Sequence, residues 1–176
     1  MLVLPHAVGA YVLGCAPTGR FARRAVGDVP WAGAAHVLVD AAKGYLAVAL
    51  LSPELTLGQA LAATAVIAGH QWPAFWGAPG KEPGAAVLVG ALAAITPLAA
   101  PLWAVAWGLT FVVTGYVQAG GLIATALILP AICLSAGWPF ALLALPATGM
   151  VLERQRVGWG RWWRGEDPKY LWRGGA

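Results

Sequence analysis

Charge is what this chain has least of. Among its 176 residues only seven are Asp or Glu and eleven are Lys or Arg, so charged residues make up 10% of the whole. A soluble domain carries about 25%. So few charges cannot cover a water-exposed surface of this size, which excludes an ordinary soluble globule and a disordered tail. It also excludes a nucleic-acid-binding domain, despite the net charge of +4 and a pI near 9.4. Cysteine is nearly absent as well. Cys15 and Cys133 both fall in apolar segments without metal-ligand spacing, and read as packing residues. Val12-Leu13-Gly14-Cys15 looks like a lipoprotein cleavage box, yet Met1 to Val12 contains no Lys or Arg, and such signals need a basic start. A Ser-His-Asp arrangement, a zinc motif and a phosphate-binding P-loop are all missing, and no metal or other cofactor is expected.

Apolar residues are what is there. They make up 60% of the chain, with mean hydropathy +0.71, ten Trp, 23 Gly and 13 Pro. This composition predicts an all-α fold, a polytopic membrane helix bundle with interfacial aromatics and several short or broken helices. Seven transmembrane spans can be read from the apolar runs: 2–19, 31–51, 57–70, 84–96, 98–115, 120–134 and 138–152. Charge placement supports that count. With the N-terminus outside, Arg20, Arg23, Arg24, Lys81, Arg154, Arg156, Arg161, Arg164, Lys169 and Arg173 all fall on the cytoplasmic side. The opposite loops carry no Lys or Arg, as the positive-inside rule asks. The chain therefore divides into a seven-helix transmembrane domain, 1–152, and a basic, Trp-rich cytoplasmic juxtamembrane tail, 153–176.

Few residues in such a chain can carry chemistry. Asp40 and Lys43 stand three apart within the second span, so both point to one face. Unpaired, either would cost at least about 2.5–3.5 kcal/mol in the membrane, so an ion pair is expected. That pair either fixes helix packing or forms an intramembrane site for a charged group. Gly69-His70 closes the third span beside a loop rich in Gly, Pro and Trp. An imidazole there can be an acid, a base or a hydrogen-bond donor to phosphate, or simply an interfacial side chain. His6 and His36 read as packed or interfacial polar residues. Arg154, Arg156, Arg161 and Arg164 alternate with Trp159, Trp162 and Trp163. This is the pattern of a juxtamembrane helix on anionic membrane lipids, and equally of guanidinium groups poised for a substrate phosphate.

Taken in order, these segments resemble a known family. Gly14-Cys15-Ala16-Pro17-Thr18-Gly19 resembles the Gly-Ser-Ile-Pro-x-Gly turn of the bacterial acyl-phosphate:glycerol-3-phosphate acyltransferases. Asp40-Ala41-Ala42-Lys43-Gly44 matches that family's Asp-x-x-Lys-Gly, and Gly69-His70-Gln71-Trp72-Pro73-Ala74-Phe75 is similar to its Gly-His-x-x-Pro-x-Phe. Thr114 to Pro130 and the tail Arg154 to Lys169 resemble two further family stretches, so nearly the whole chain is covered. The resemblance implies a seven-helix enzyme of phospholipid synthesis in the bacterial plasma membrane, its site on the cytoplasmic face. Such an enzyme moves a fatty acyl group from acyl phosphate, not acyl-CoA, to glycerol 3-phosphate. His70 and Arg161 would then be catalytic, and Gly69, Lys81 and Arg154 would bind substrate. Asp40 and Lys43 would form a structural ion pair.

The departures are specific. The family's Asn-rich first cytoplasmic loop, which helps grip the substrate phosphate, is reduced here to the short stretch Ala25 to Trp31. A Gly-Gly-Lys-Gly segment becomes Pro79-Gly80-Lys81-Glu82-Pro83. In the tail Gln155 and Gly158 stand where the family has His and Asn, and Gly115, Gln118 and Gly121 stand where it has Arg and two Ser. Two other readings therefore remain beside the family reaction. One is a non-catalytic paralogue acting as a membrane scaffold or lipid-binding partner. The other is a related transferase with a different acceptor. Protein partners are not indicated.

Overall fold

The computed structural model describes residues 3–18, 32–50, 56–75 and 84–166. Their secondary structure is helical throughout, in seven helices: α1 (Val3–Gly14), α2 (Ala32–Ala49), α3 (Thr56–Gln71), α4 (Ala85–Ile95), α5 (Ala99–Thr114), α6 (Val117–Ala136) and α7 (Trp138–Trp163). The breaks fall where helix-terminating residues cluster, at Gly14 to Pro17, at Thr96-Pro97, at Gly115 and at Gly137 to Pro139. Each of the seven expected spans thus has its helix. Among the described residues only α6 is long and apolar enough by itself to cross a membrane, over Val117–Ser135 with mean hydropathy 2.0. It runs through Pro130 without interruption.

Packing is organised by small residues. The most extensive contacts are α2 with α4 and α1 with α3, followed by α5 with α6 and α6 with α7. In the first two pairs, glycines let backbones touch. A Cβ on Gly44 of α2 would stand 2.0 Å from the carbonyl oxygen of Val87, and one on Gly90 of α4 only 1.8 Å from that of Ala41. Gly14 of α1 and Gly69 of α3 meet in the same way, with Val66 and Tyr11 as the facing carbonyls. Close approach of this kind, driven by packing and Cα–H···O contacts, holds membrane helices together where there is no water to expel. The core between them is Ala10, Ala47, Ala62, Ala63 and Ala91 with Val66, Ile67, Leu88, Leu92, Ile128 and Ile132. The outer surface is equally apolar: Leu4, Leu38, Val113 and Leu134 are each at least 70% exposed. Such an exterior suits lipid as its solvent.

The last helix runs past its apolar stretch. The apolar run ends at Leu152, yet α7 continues to Trp163, so at 26 residues it is about 39 Å long. That exceeds a hydrocarbon core of about 30 Å. No stop signal intervenes until Gly165, which takes φ 69°. There the Glu166 amide bonds the Arg161 carbonyl at 2.9 Å and the Gly165 amide bonds that of Trp162 at 2.9 Å, a Schellman cap. The stacked Trp159 and Trp163, with Trp162 edge-on to Tyr116, sheathe this extension.

Candidate functional site

The contacts bring one end of the bundle together: the C-terminal ends of α1 and α3, the N-terminal end of α4 and the polar half of α7. Lys43 lies at the centre. Its ammonium is 3.1 Å from Asp40 Oδ1, and both side chains are buried, 3% and 4% exposed. The i,i+3 spacing on α2 makes that pair possible; everything else around it comes from other helices. Lys43 Nζ reaches the carbonyl oxygens of Gly14 and Ala16 at 3.4 Å each, and Thr18 Oγ1 at 3.2 Å. Gly14 is the last residue of α1, so the ammonium sits at the negative end of that helix dipole, while the Ala16 carbonyl also accepts from the Thr18 amide at 2.9 Å. Thr18 in turn donates its hydroxyl hydrogen to Asp40 Oδ1. His36, one turn before Asp40, lies with Nε2 3.1 Å from Asp40 Oδ2.

His70 completes the cluster. Its Nδ1 is 3.0 Å from Lys43 Nζ, whereas its Nε2 is shielded from solvent and has no hydrogen-bond partner among the described residues. The ring faces the start of α4, where Gly84 adopts a left-handed conformation (φ 78°) and offers no side-chain cap. A Cβ on Gly84 would stand 3.0 Å from His70 Cδ2 and 3.7 Å from Nε2, so a glycine is needed there for both its conformation and its space. The first-turn amides of α4 have no intrahelical acceptor and leave that end electropositive.

Arg154 is drawn to the same end from α7. One of its guanidinium nitrogens donates to the Gln71 carbonyl at 3.5 Å, and the group lies 5.7 Å from the centre of the Trp72 ring. That separation is within cation–π range. Trp72 is also held through its backbone, its carbonyl accepting a 2.7 Å bond from the Tyr11 hydroxyl. Arg161 occupies the same face of α7 two turns later, about 10 Å further along the axis. The structure therefore gathers His70, Lys43, Asp40 and Arg154, and carries Arg161 beyond them. Gly69 is buried in the contact with α1, where a Cβ would meet the Tyr11 oxygen at 2.1 Å. Its position serves helix approach, which the motif alone did not distinguish from substrate contact. Lys81 lies outside the described residues, as do Arg20, Arg23 and Arg24.

Two members of the cluster were not foreseen. His36 was read as a packed or interfacial polar residue, although its i,i+4 spacing to Asp40 was a usable signal. Thr18 gave none, since the turn after α1 reaches α2 only through tertiary folding.

The chain has known relatives. The family model for glycerol-3-phosphate acyltransferase matches residues 22–165. A glycerol-3-phosphate acyltransferase of Chromobacterium violaceum is 47% identical over 72 residues, 38% of this chain and 34% of that protein. One from Halalkalibacterium halodurans is 35% identical over 128 residues, 68% of this chain and 61% of the relative. The matched stretches thus span between about a third and three-fifths of these relatives. Crystal structures of PlsY, an integral membrane glycerol 3-phosphate acyltransferase, superimpose with TM-scores of 0.83 (lysophosphatidic acid form) and 0.82 (glycerol 3-phosphate form). Each is 22% identical and covers 96% of this chain and 95% of the other. The polytopic membrane bundle is the fold they share.

Proposed function

The chain belongs to the glycerol-3-phosphate acyltransferase family, and on that premise we propose that it acylates glycerol 3-phosphate from acyl phosphate in phospholipid synthesis. The acceptor hydroxyl oxygen attacks the carbonyl carbon of the mixed anhydride. The carbon–oxygen bond to phosphate then breaks, phosphate leaves with the electron pair, and the hydroxyl proton ends on the released phosphate. The products are lysophosphatidic acid and inorganic phosphate. Because the donor is already activated, holding two phosphate-bearing substrates together and stabilising the tetrahedral oxyanion accounts for most of the rate.

The observation that carries this reading is the Nε2 of His70, without a partner among the described residues and set between the Lys43–Asp40 pair, the open start of α4 and the Arg154 guanidinium. In this assignment His70 and Arg161 act on the reacting groups, and Lys81 and Arg154 hold phosphate. Gly69 lets α3 approach α1 closely enough to deliver His70. Asp40 and Lys43 form the structural ion pair. The site opens to the cytoplasm of a bacterial cell, with the N-terminus outside and the C-terminus inside. Residues 153–176 meet the membrane lipids as a basic tail. The short stretch Ala25 to Trp31, without Asn or Ser, favours one second reading, a transferase whose acceptor is not glycerol 3-phosphate.

The test is phosphate release by the purified protein in a lipid phase, from palmitoyl phosphate with and without glycerol 3-phosphate, beside a His70→Ala control. Release that depends on glycerol 3-phosphate and is lost in the control supports the family reaction. Release independent of the acceptor points to hydrolysis or to another acceptor. No release from folded protein favours a non-catalytic paralogue.

A further inference from the structure

The Lys43 ammonium sits in a shell made only of acceptors. The Gly14 and Ala16 carbonyls can do nothing but accept. Asp40 Oδ1 lies 3.1 Å away. Thr18 gives its hydroxyl hydrogen to Asp40 and so turns lone pairs toward the lysine. His70 Nδ1 is the nearest of the five, at 3.0 Å. An ammonium has three hydrogens and no lone pair, so an Nδ1 that carried a proton would face it hydrogen to hydrogen. The Nδ1 proton is therefore absent, and the ring of the neutral imidazole carries its proton on Nε2. That nitrogen is the shielded one with no partner among the described residues, facing the start of α4.

We infer that Lys43 is a positioning residue, which locks His70 in the Nε2–H tautomer so that His70 meets its substrate as a hydrogen-bond donor to an anionic oxygen and not as a base. This rests on the acyl-transfer reading for the identity of the substrate, and changes what the ion pair is for. Asp40 pairs with Lys43, Lys43 sets the tautomer, and the imidazole presents N–H to a phosphate oxygen or to the oxyanion of the tetrahedral intermediate. A preorganised donor of that kind is worth about 100- to 1,000-fold in turnover. The hydroxyl proton does not pass through His70.

The experiment uses the full chain in lipid, with its histidines labelled with nitrogen-15. The chain has three histidines, His6, His36 and His70, and a His70→Gln variant assigns the last. The expected spectrum shows His70 neutral, with a bare Nδ1 and a protonated Nε2, and mixed tautomers in Lys43→Met. A protonated Nδ1 in the wild type overturns the proposal, and that spectrum needs no variant to fold beyond the one used for assignment. Activity supplies the second arm. The amide N–H of His70→Gln stands near the place of Nε2 but cannot act as a base. Turnover within about tenfold of wild type is expected for it, against a loss of about 100-fold or more for His70→Ala. Lys43→Arg, which still donates, restores turnover that Lys43→Met loses. A folded His70→Gln as inactive as His70→Ala overturns the donor role. If the wild type transfers no acyl group, the functional reading fails, while the spectrum still decides the tautomer.

Discussion

Replacing Gly90 by Ala adds a single methyl at the tightest helix contact of the bundle. Its Cβ would stand 1.8 Å from the carbonyl oxygen of Ala41 and 2.6 Å from the carbonyl carbon. Ordinary contact begins at 3.4 Å, so α2 and α4 would have to separate by about 1.6 Å. Both offending atoms are backbone, and no side chain can swing aside to absorb the strain. Parting the helices also loosens the packing of Ala47, Val48, Val87, Leu88 and Ala91 along the seam, all fully buried. A gap of 0.5–1 Å already forfeits roughly a quarter to a half of each dispersion contact. Overpacking typically costs about 1–3 kcal/mol, and a rigid backbone clash belongs at the upper end of that range. At about 2–4 °C per kcal/mol for a chain of this length, Tm should fall by about 6–12 °C. Gly149 supplies the control, because it sits within α7 with nothing inside 4 Å of its would-be Cβ. Gly149→Ala should raise Tm by about 2 °C, since alanine is favoured over glycine in an open helical position by about 0.5–1 kcal/mol. Thermal unfolding in detergent, followed by tryptophan fluorescence, reads both. A Tm for Gly90→Ala within about 2 °C of wild type would refute the claim that backbone contact at the glycines holds α2 to α4.

Asp40→Asn leaves the Lys43 ammonium buried without its counter-charge and should destabilise the protein by about 3–5 kcal/mol in the same unfolding assay. The double variant Asp40→Asn/Lys43→Met should recover much of that loss, because both charges are then gone. Leu88→Ala removes a fully buried side chain from the α2–α4 seam and should cost about 2–5 kcal/mol. Arg154→Ala should raise KM for glycerol 3-phosphate about tenfold with kcat little changed, as expected for a group that grips phosphate equally before and during reaction. Steady-state phosphate release measures it, and an unchanged KM would remove Arg154 from the binding site.

Composition and local spacing were enough for some of this. A chain with 10% charge and 60% apolar residues has no route to a water-facing surface, so the membrane bundle follows from the counts alone. The seven apolar runs located the seven helices because Gly and Pro act on the backbone within a turn of where they stand. Asp40 and Lys43 were legible as a pair because three residues on a helix is a contact by geometry. The same logic would have joined His36 to Asp40. Where α7 ends was not legible in hydropathy, which stops at Leu152, because the helix stops at its cap.

What only the tertiary structure decided lies at longer range. Lys43 meets Gly14 across 29 residues and His70 across 27, and Arg154 reaches the Gln71 carbonyl across 83. No periodicity encodes those distances; the glycine contacts of α1 with α3 and of α2 with α4 set them. The sequence supplied a histidine that could be acid, base or donor, and a lysine that could be packing or site. Choosing among those roles required knowing which nitrogen faced the ammonium. Hydrogen bonds are directional, so that choice is made by two side chains that the packed helices bring to 3.0 Å of each other and not by the order of residues along the chain.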